Sequence, residues 1–176
     1  IEVFERKQFA EMQELKKVSD VKTGRLFEKS TKTGAMLAKR SEKEIKTFGL
    51  LGKALGIAFQ IQDDILDYET LTVNTGKTSM KDFKEGKITF PLYFALQNSI
   101  KKDKRFILEN LGKSKLSLKN QNKIYNLIHS SQTQQDINNL LNGYLKEAQN
   151  HLKNLKNHPC HSEMLNLLTF SKIRKK

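Results

Sequence analysis

The chain has 176 residues, enough for one domain with a substantial core, and its composition gives no sign of a second. Lys and Arg number 32 against 19 Asp and Glu, a net charge of +13, while hydrophobic residues make up 37% and Trp is absent. No apolar run reaches the ~18 residues of a membrane span, and Ile1 to Lys7 is charged rather than leader-like.

In chain order the pattern is one of successive helices, with strand-like alternation nearly absent. The first is expected over Ile1 to Lys17. A second is expected from about Val21 to Lys39, with Leu26, Phe27, Met36 and Leu37 on its buried side. Ser41 followed by Glu44 forms a capping box, in which the serine accepts from a free N–H and the glutamate reaches back. It starts a long helix, Glu42 to about Tyr68, with Phe48, Leu51, Leu55, Ala58, Ile61, Ile65 and Leu66 at helical spacing. Glu69 to Lys87 carries Thr, Asn and two glycines and reads as a loop with a short helical turn, and polar loops of that length are more often functional than idle. Helix resumes over Phe90 to Asn98, with Pro91 in the permissive first turn. Further helices are expected near Asp103–Leu111, Lys119–Ser130, Gln134–Leu155 and His161–Lys172. The lone Cys160 excludes an internal disulfide and leads to the expectation of a reducing, cytoplasmic compartment. It reads as packing, and His129, His151, His158 and His161 read as structural.

Most of the positive charge is scattered through KKDKR, LGKSKLSLKNQNK and HLKNLKNH, the pattern of a solvated surface. No zinc-ligand set, Gly-aromatic binding strand or basic zipper accompanies it, so a nucleic-acid partner is not expected.

The stretch FQIQDDILDY runs against this background. On a helix Gln60, Asp63, Asp64 and Asp67 fall at i, i+3, i+4 and i+7, on one stripe. Three carboxylates so placed repel one another, and nearby apolar residues raise the cost. A hard divalent cation would relieve it, Mg2+ above all, because it takes one or two carboxylates and completes its shell with phosphate oxygens and water. Surface lysines could offset the same charge, and spacing alone leaves both readings open. A calcium loop of the EF-hand kind lacks its alternating ligands and central Gly here.

The wider span GIAFQIQDDILDY…TGKTSMKDFKEGKITFP resembles the second aspartate-rich region of the trans-isoprenyl diphosphate synthases. Its elements come in the family's order: Phe59-Gln60, Asp63-Asp64, Asp67, Gly76-Lys77, Asp82, then Gly86-Lys87 with Thr89 and Pro91. Lys22-Thr23-Gly24-Arg25-Leu26-Phe27, followed by Gly34-Ala35, looks like the family's Lys-Thr helix, and the tail Lys172 to Lys176 is similar to its basic C-terminus.

The resemblance implies an all-α, isoprenoid-synthase-type helical bundle in which residues 1–176 form the C-terminal part of a single prenyltransferase domain, without its N-terminal helices. It implies Mg2+-dependent head-to-tail condensation of an allylic diphosphate with isopentenyl diphosphate, releasing pyrophosphate, in a homodimer. Asp63 would be the main metal ligand, with Asp64 and Asp67 in support. Lys22, Lys77 and Lys87 match the residues that hold the allylic diphosphate. Thr23 and Gln60 match those whose oxygens face the developing cation, and Phe59 would line the isopentenyl pocket.

Three departures stand out. The family's first aspartate-rich motif and its upstream basic residues are not among these 176. The segment between Gln8 and Lys22 is short, and Met80-Lys81 stands where many relatives carry Gly-Ser. A non-catalytic or regulatory subunit of a heteromeric synthase is the alternative reading. A terpene-cyclase metal motif fails, since the stretch at Asn138 would need Glu where Lys146 stands.

Overall fold

The computed structural model describes residues 11–69, 80–155 and 158–173, and among them every regular element is helical. In order these are α1 (Met12–Ser19), a π-helical turn (Asp20–Gly24), α2 (Arg25–Leu37), α3 (Glu42–Leu66), α4 (Lys81–Lys84), α5 (Phe90–Asn98), α6 (Lys101–Asn110), α7 (Leu118–Ile128), α8 (Ser131–Lys153) and α9 (His161–Ile173). The expected helices from Glu42 onward are all present within a few residues. Residues 1–10 of the first expected helix lie outside the described residues, as do residues 70–79 of the long loop.

The chain divides into two compact units, one of Lys16–Asp63 with Asn139–Lys176 and the other of Ile1–Leu15 with Asp64–Asn138. α3 runs unbroken through the boundary.

In the first unit, α3 begins at the expected capping box. Glu44 N–H donates to Ser41 Oγ at 3.4 Å and Ser41 N–H to Glu44 Oε2 at 3.0 Å. Its predicted apolar stripe is buried at Phe48, Leu51, Leu55, Ala58, Ile61 and Leu66 and half-buried at Ile65. α8 adds Leu141, Leu145, Ala148 and Leu152 at helical spacing.

The buried side of α2 corrects the sequence expectation. Leu26, Met36 and Leu37 are 65%, 61% and 80% exposed. The packed line is instead Gly24, Phe27, Thr31 and buried Ala35, and the first three meet glycines of α3. A Cβ on Gly52 would stand 2.6 Å from the Phe27 carbonyl oxygen, and one on Gly56 would stand 3.0 Å from Gly24 Cα. Thr31 Oγ1 closes the contact by donating to the Phe48 carbonyl at 2.7 Å. Backbones that approach so closely select small residues on the α3 side of the contact, and Leu26, Met36 and Leu37 are turned outward.

In the second unit, Phe83, Phe90, Leu92, Leu96, Ile107, Ile124 and Ile128 are nearly or fully buried, and α5 packs on α6 and α7. Asn110, buried among them, is satisfied by donating to the Phe106 carbonyl at 2.8 Å and accepting from Asn120 Nδ2 at 3.1 Å. Pro91 sits in the first turn of α5 as expected.

Candidate functional site

The sequence expected one continuous helix from Val21; the structure inserts a π-helical turn, Asp20–Gly24, at the residues singled out there. Such turns widen the helix locally and recur at functional sites. This one turns the Thr23 side chain to α3, where its hydroxyl donates to Gln60 Oε1 at 2.7 Å. With its proton given to Gln60, the Thr23 oxygen presents lone pairs on its remaining side. Asp20 at the head of the turn accepts from Lys53 Nζ at 3.0 Å, tying the turn to α3 a second time. Phe59 is half-buried, its ring 5.6 Å from that of Phe27, and Lys22 is exposed. Thus the first unit brings Thr23, Phe59 and Gln60 together around the base of the acidic stripe.

The stripe itself is graded in burial. Gln60 is 5% exposed and Asp64 6%, Asp67 is half-buried, and Asp63 is open to solvent. Asp63 and Asp64 occupy the last turn of α3, which carries no basic residue. That end of a helix is the negative end of its dipole, so it adds to the carboxylates' mutual repulsion and favours a cation there.

Asp67 has a further use, which the sequence did not disclose. Its Oδ1 accepts from the Lys81 N–H at 3.1 Å, its Oδ2 from the Asp82 N–H at 3.0 Å, and its carbonyl from the Met80 N–H at 2.9 Å. Met80 adopts left-handed backbone, φ 58° and ψ 40°. That conformation costs a non-glycine residue about 1–2 kcal/mol. Each charge-assisted bond returns about 1.5–3 kcal/mol, so the arrangement is favourable.

Lys87, in the same unit, is exposed and paired with Glu85 and, at 3.4 Å, with Asp82 Oδ1. The Glu85 hydrogen bond raises the Lys87 ammonium above its ordinary value, and the same bond holds the Glu85 carboxyl below its own. Nearby, the Tyr68 hydroxyl is fully buried and adjoins that of Thr89, and neither reaches a full hydrogen bond. Burial, followed by the charges of Asp67, Asp82 and Asp64, pushes the Tyr68 phenol far up, so it stays neutral. Lys77 lies outside the described residues.

Among the described residues no three His, Cys, Asp or Glu side chains are gathered so as to hold a metal ion. A closed zinc-type cage therefore does not fit these residues. An open set of carboxylate oxygens at a helix end does fit Mg2+, which leaves most of its shell to phosphate and water. His158 and Cys160 pair with each other, Nδ1 to Sγ at 3.0 Å, and His158 lies edge-on to Phe48, a packing arrangement as expected.

Comparison with known proteins places these features in context. The family described as polyprenyl synthetase matches residues 1–128. Solanesyl diphosphate synthase 2, chloroplastic, of Arabidopsis thaliana is 42% identical over 77 residues, 44% of this chain and 18% of that one. A decaprenyl diphosphate synthase from Rhodobacter capsulatus superposes with a TM-score of 0.83 at 25% identity, covering 97% of this chain and 53% of its own. A polyprenyl synthase from Caulobacter crescentus, solved with calcium and isoprenyl diphosphate, gives 0.82 at 26% identity, with 94% and 51% covered. The chain therefore spans about half the length of these solved neighbours and less of the curated relative.

Proposed function

The chain belongs to the polyprenyl synthetase family, and from that premise we propose that it forms the C-terminal part of a single all-α prenyltransferase domain. The whole protein condenses an allylic diphosphate with isopentenyl diphosphate, head to tail, and releases pyrophosphate with Mg2+ as cofactor. One observation carries this reading: the last two turns of α3 present Gln60, held by Thr23, beside an exposed Asp63 at the negative helix end.

The chemical demand is to part pyrophosphate from an allylic cation and keep both in place. Mg2+, when bound, supplies Lewis-acid charge to the leaving group. Asp63 would hold it, with Asp64 in support, while the Asp67 carboxylate accepts from the Lys81 and Asp82 amides. The residues of this chain do the rest. Lys22, Lys77 and Lys87 bind the allylic diphosphate, as flexible point charges that follow the phosphate as it moves. Thr23 and Gln60 turn oxygen dipoles to the cation, a stabilisation that needs no nucleophile. Phe59 lines the isopentenyl pocket and excludes water. The proton lost in condensation passes to pyrophosphate, so no protein base is assigned.

Homodimeric assembly is part of the proposal and rests on the family alone. A cytoplasmic location rests on the single Cys160; the Arabidopsis relative is named chloroplastic, and fractionation decides between the two. Among the described residues no helix is long and apolar enough to cross a membrane.

The alternative reading is a non-catalytic or regulatory subunit of a heteromeric synthase, and one experiment separates the two. The test assays the intact gene product with dimethylallyl and isopentenyl diphosphates and Mg2+. Condensation by the protein alone supports the synthase. Product that forms only when a second subunit is added supports the regulator instead.

A further inference from the structure

We propose that Asp67 is a positioning residue, whose carboxylate is committed to the backbone and fixes the segment that carries Asp82 and Lys87. Three consecutive N–H groups, those of Met80, Lys81 and Asp82, converge on this one residue. Convergence of that kind needs a left-handed residue followed by right-handed helix, the backbone form that makes an anion-binding concavity. Met80 supplies the left-handed residue, although it is not glycine, and its side chain is 1% exposed. Asp67 supplies the anion.

The consequences run down the chain. Lys84 N–H donates to the Met80 carbonyl at 3.0 Å and Lys87 N–H to the Asp82 carbonyl at 2.9 Å, and Lys87 Nζ meets the Asp82 carboxylate. The clamp at residues 80–82 therefore sets where Lys87 starts. The third aspartate of the stripe differs from Asp63 in what it serves. Asp63 faces solvent, whereas both Asp67 oxygens already accept from backbone. The kinetic consequence rests on the reading that Lys87 holds the allylic diphosphate; the clamp does not.

The test is amide hydrogen exchange on the intact protein, with helicity checked by circular dichroism. Asp67→Ala is expected to speed exchange of the Lys81 and Asp82 amides about tenfold or more relative to α5. Met80→Val leaves every aspartate in place but disfavours left-handed backbone, and is expected to do the same, while Met80→Leu, apolar, of similar volume and unbranched at Cβ, stays closer to wild-type exchange. Exchange at Lys81 and Asp82 that stays within about twofold of wild type in Asp67→Ala overturns the proposal. In the condensation assay, Asp67→Asn is expected to raise KM for the allylic diphosphate several-fold, with kcat and the Mg2+ activation constant within about twofold. A shift in the Mg2+ constant as large as that of Asp63→Asn, with KM unchanged, contradicts it. The exchange arm needs no turnover, so absence of condensation fells the proposed function and not the clamp.

Discussion

Thr23 and Lys87 are both polar side chains held by a neighbour, and each hold has a measurable consequence. Thr23→Val keeps the shape and removes the hydroxyl that donates to Gln60 Oε1. A loss of about 1–2 kcal/mol in unfolding free energy is expected, recovered by Thr23→Ser, with denaturant melts as the check. Lys87 and Glu85 set each other's titration. Because the Glu85 carboxyl is held below its ordinary 4.5, its pairing contribution is present above pH 4.5 and fades as pH falls through the lowered value. Both groups are well exposed, so the effect on stability is small. The direct readout is carbon-detected NMR. Lys87→Ala is expected to return Glu85 toward 4.5, and an unmoved titration contradicts the pairing. On the substrate side, Lys22→Ala and Lys77→Ala are expected to weaken allylic diphosphate affinity more than isopentenyl affinity. Equal effects on both would refute that pocket assignment.

At the scale of elements, the α2–α3 contact explains what was legible in the sequence and what was not. The capping box at Ser41 and the stripe on α3 were readable because each is local: a serine and a glutamate three apart, and apolar residues at a 3.6-residue period. The buried face of α2 was not, because a face chosen for backbone approach hides its apolar content in glycine and alanine. Read by side-chain size, Leu26, Met36 and Leu37 pointed to the wrong side. The signal lay in the partner helix, where Gly49, Gly52 and Gly56 recur at i, i+3 and i+7. The π-turn left no local mark, since it depends on the fit of Asp20 and Thr23 against Lys53 and Gln60. The Asp67 clamp joins residues 14 and 15 apart and was equally out of reach of periodicity. Gly52→Ala tests the contact. Its Cβ meets backbone that cannot yield, so a cost of about 1–3 kcal/mol is expected. At this chain length that is a fall in Tm of about 2–4 °C per kcal/mol, by calorimetry. Gly34→Ala, where a Cβ meets nothing within 4 Å, is the control expected to hold or raise Tm.

For the whole molecule, the account turns on charge. A chain of net charge +13 places two aspartates on the final turn of a long helix with no basic residue in that turn. The negative end of the helix favours a cation there, and a cation at a helix end offers an anion such as pyrophosphate somewhere to bind. The most direct measurement is calorimetric titration of the intact protein with inorganic pyrophosphate, with and without Mg2+, for wild type and Asp63→Ala. Binding that requires Mg2+ and falls by at least about tenfold in Asp63→Ala, with helicity unchanged, is the expected result. Pyrophosphate bound equally well without Mg2+, or undiminished in Asp63→Ala, would contradict the claim.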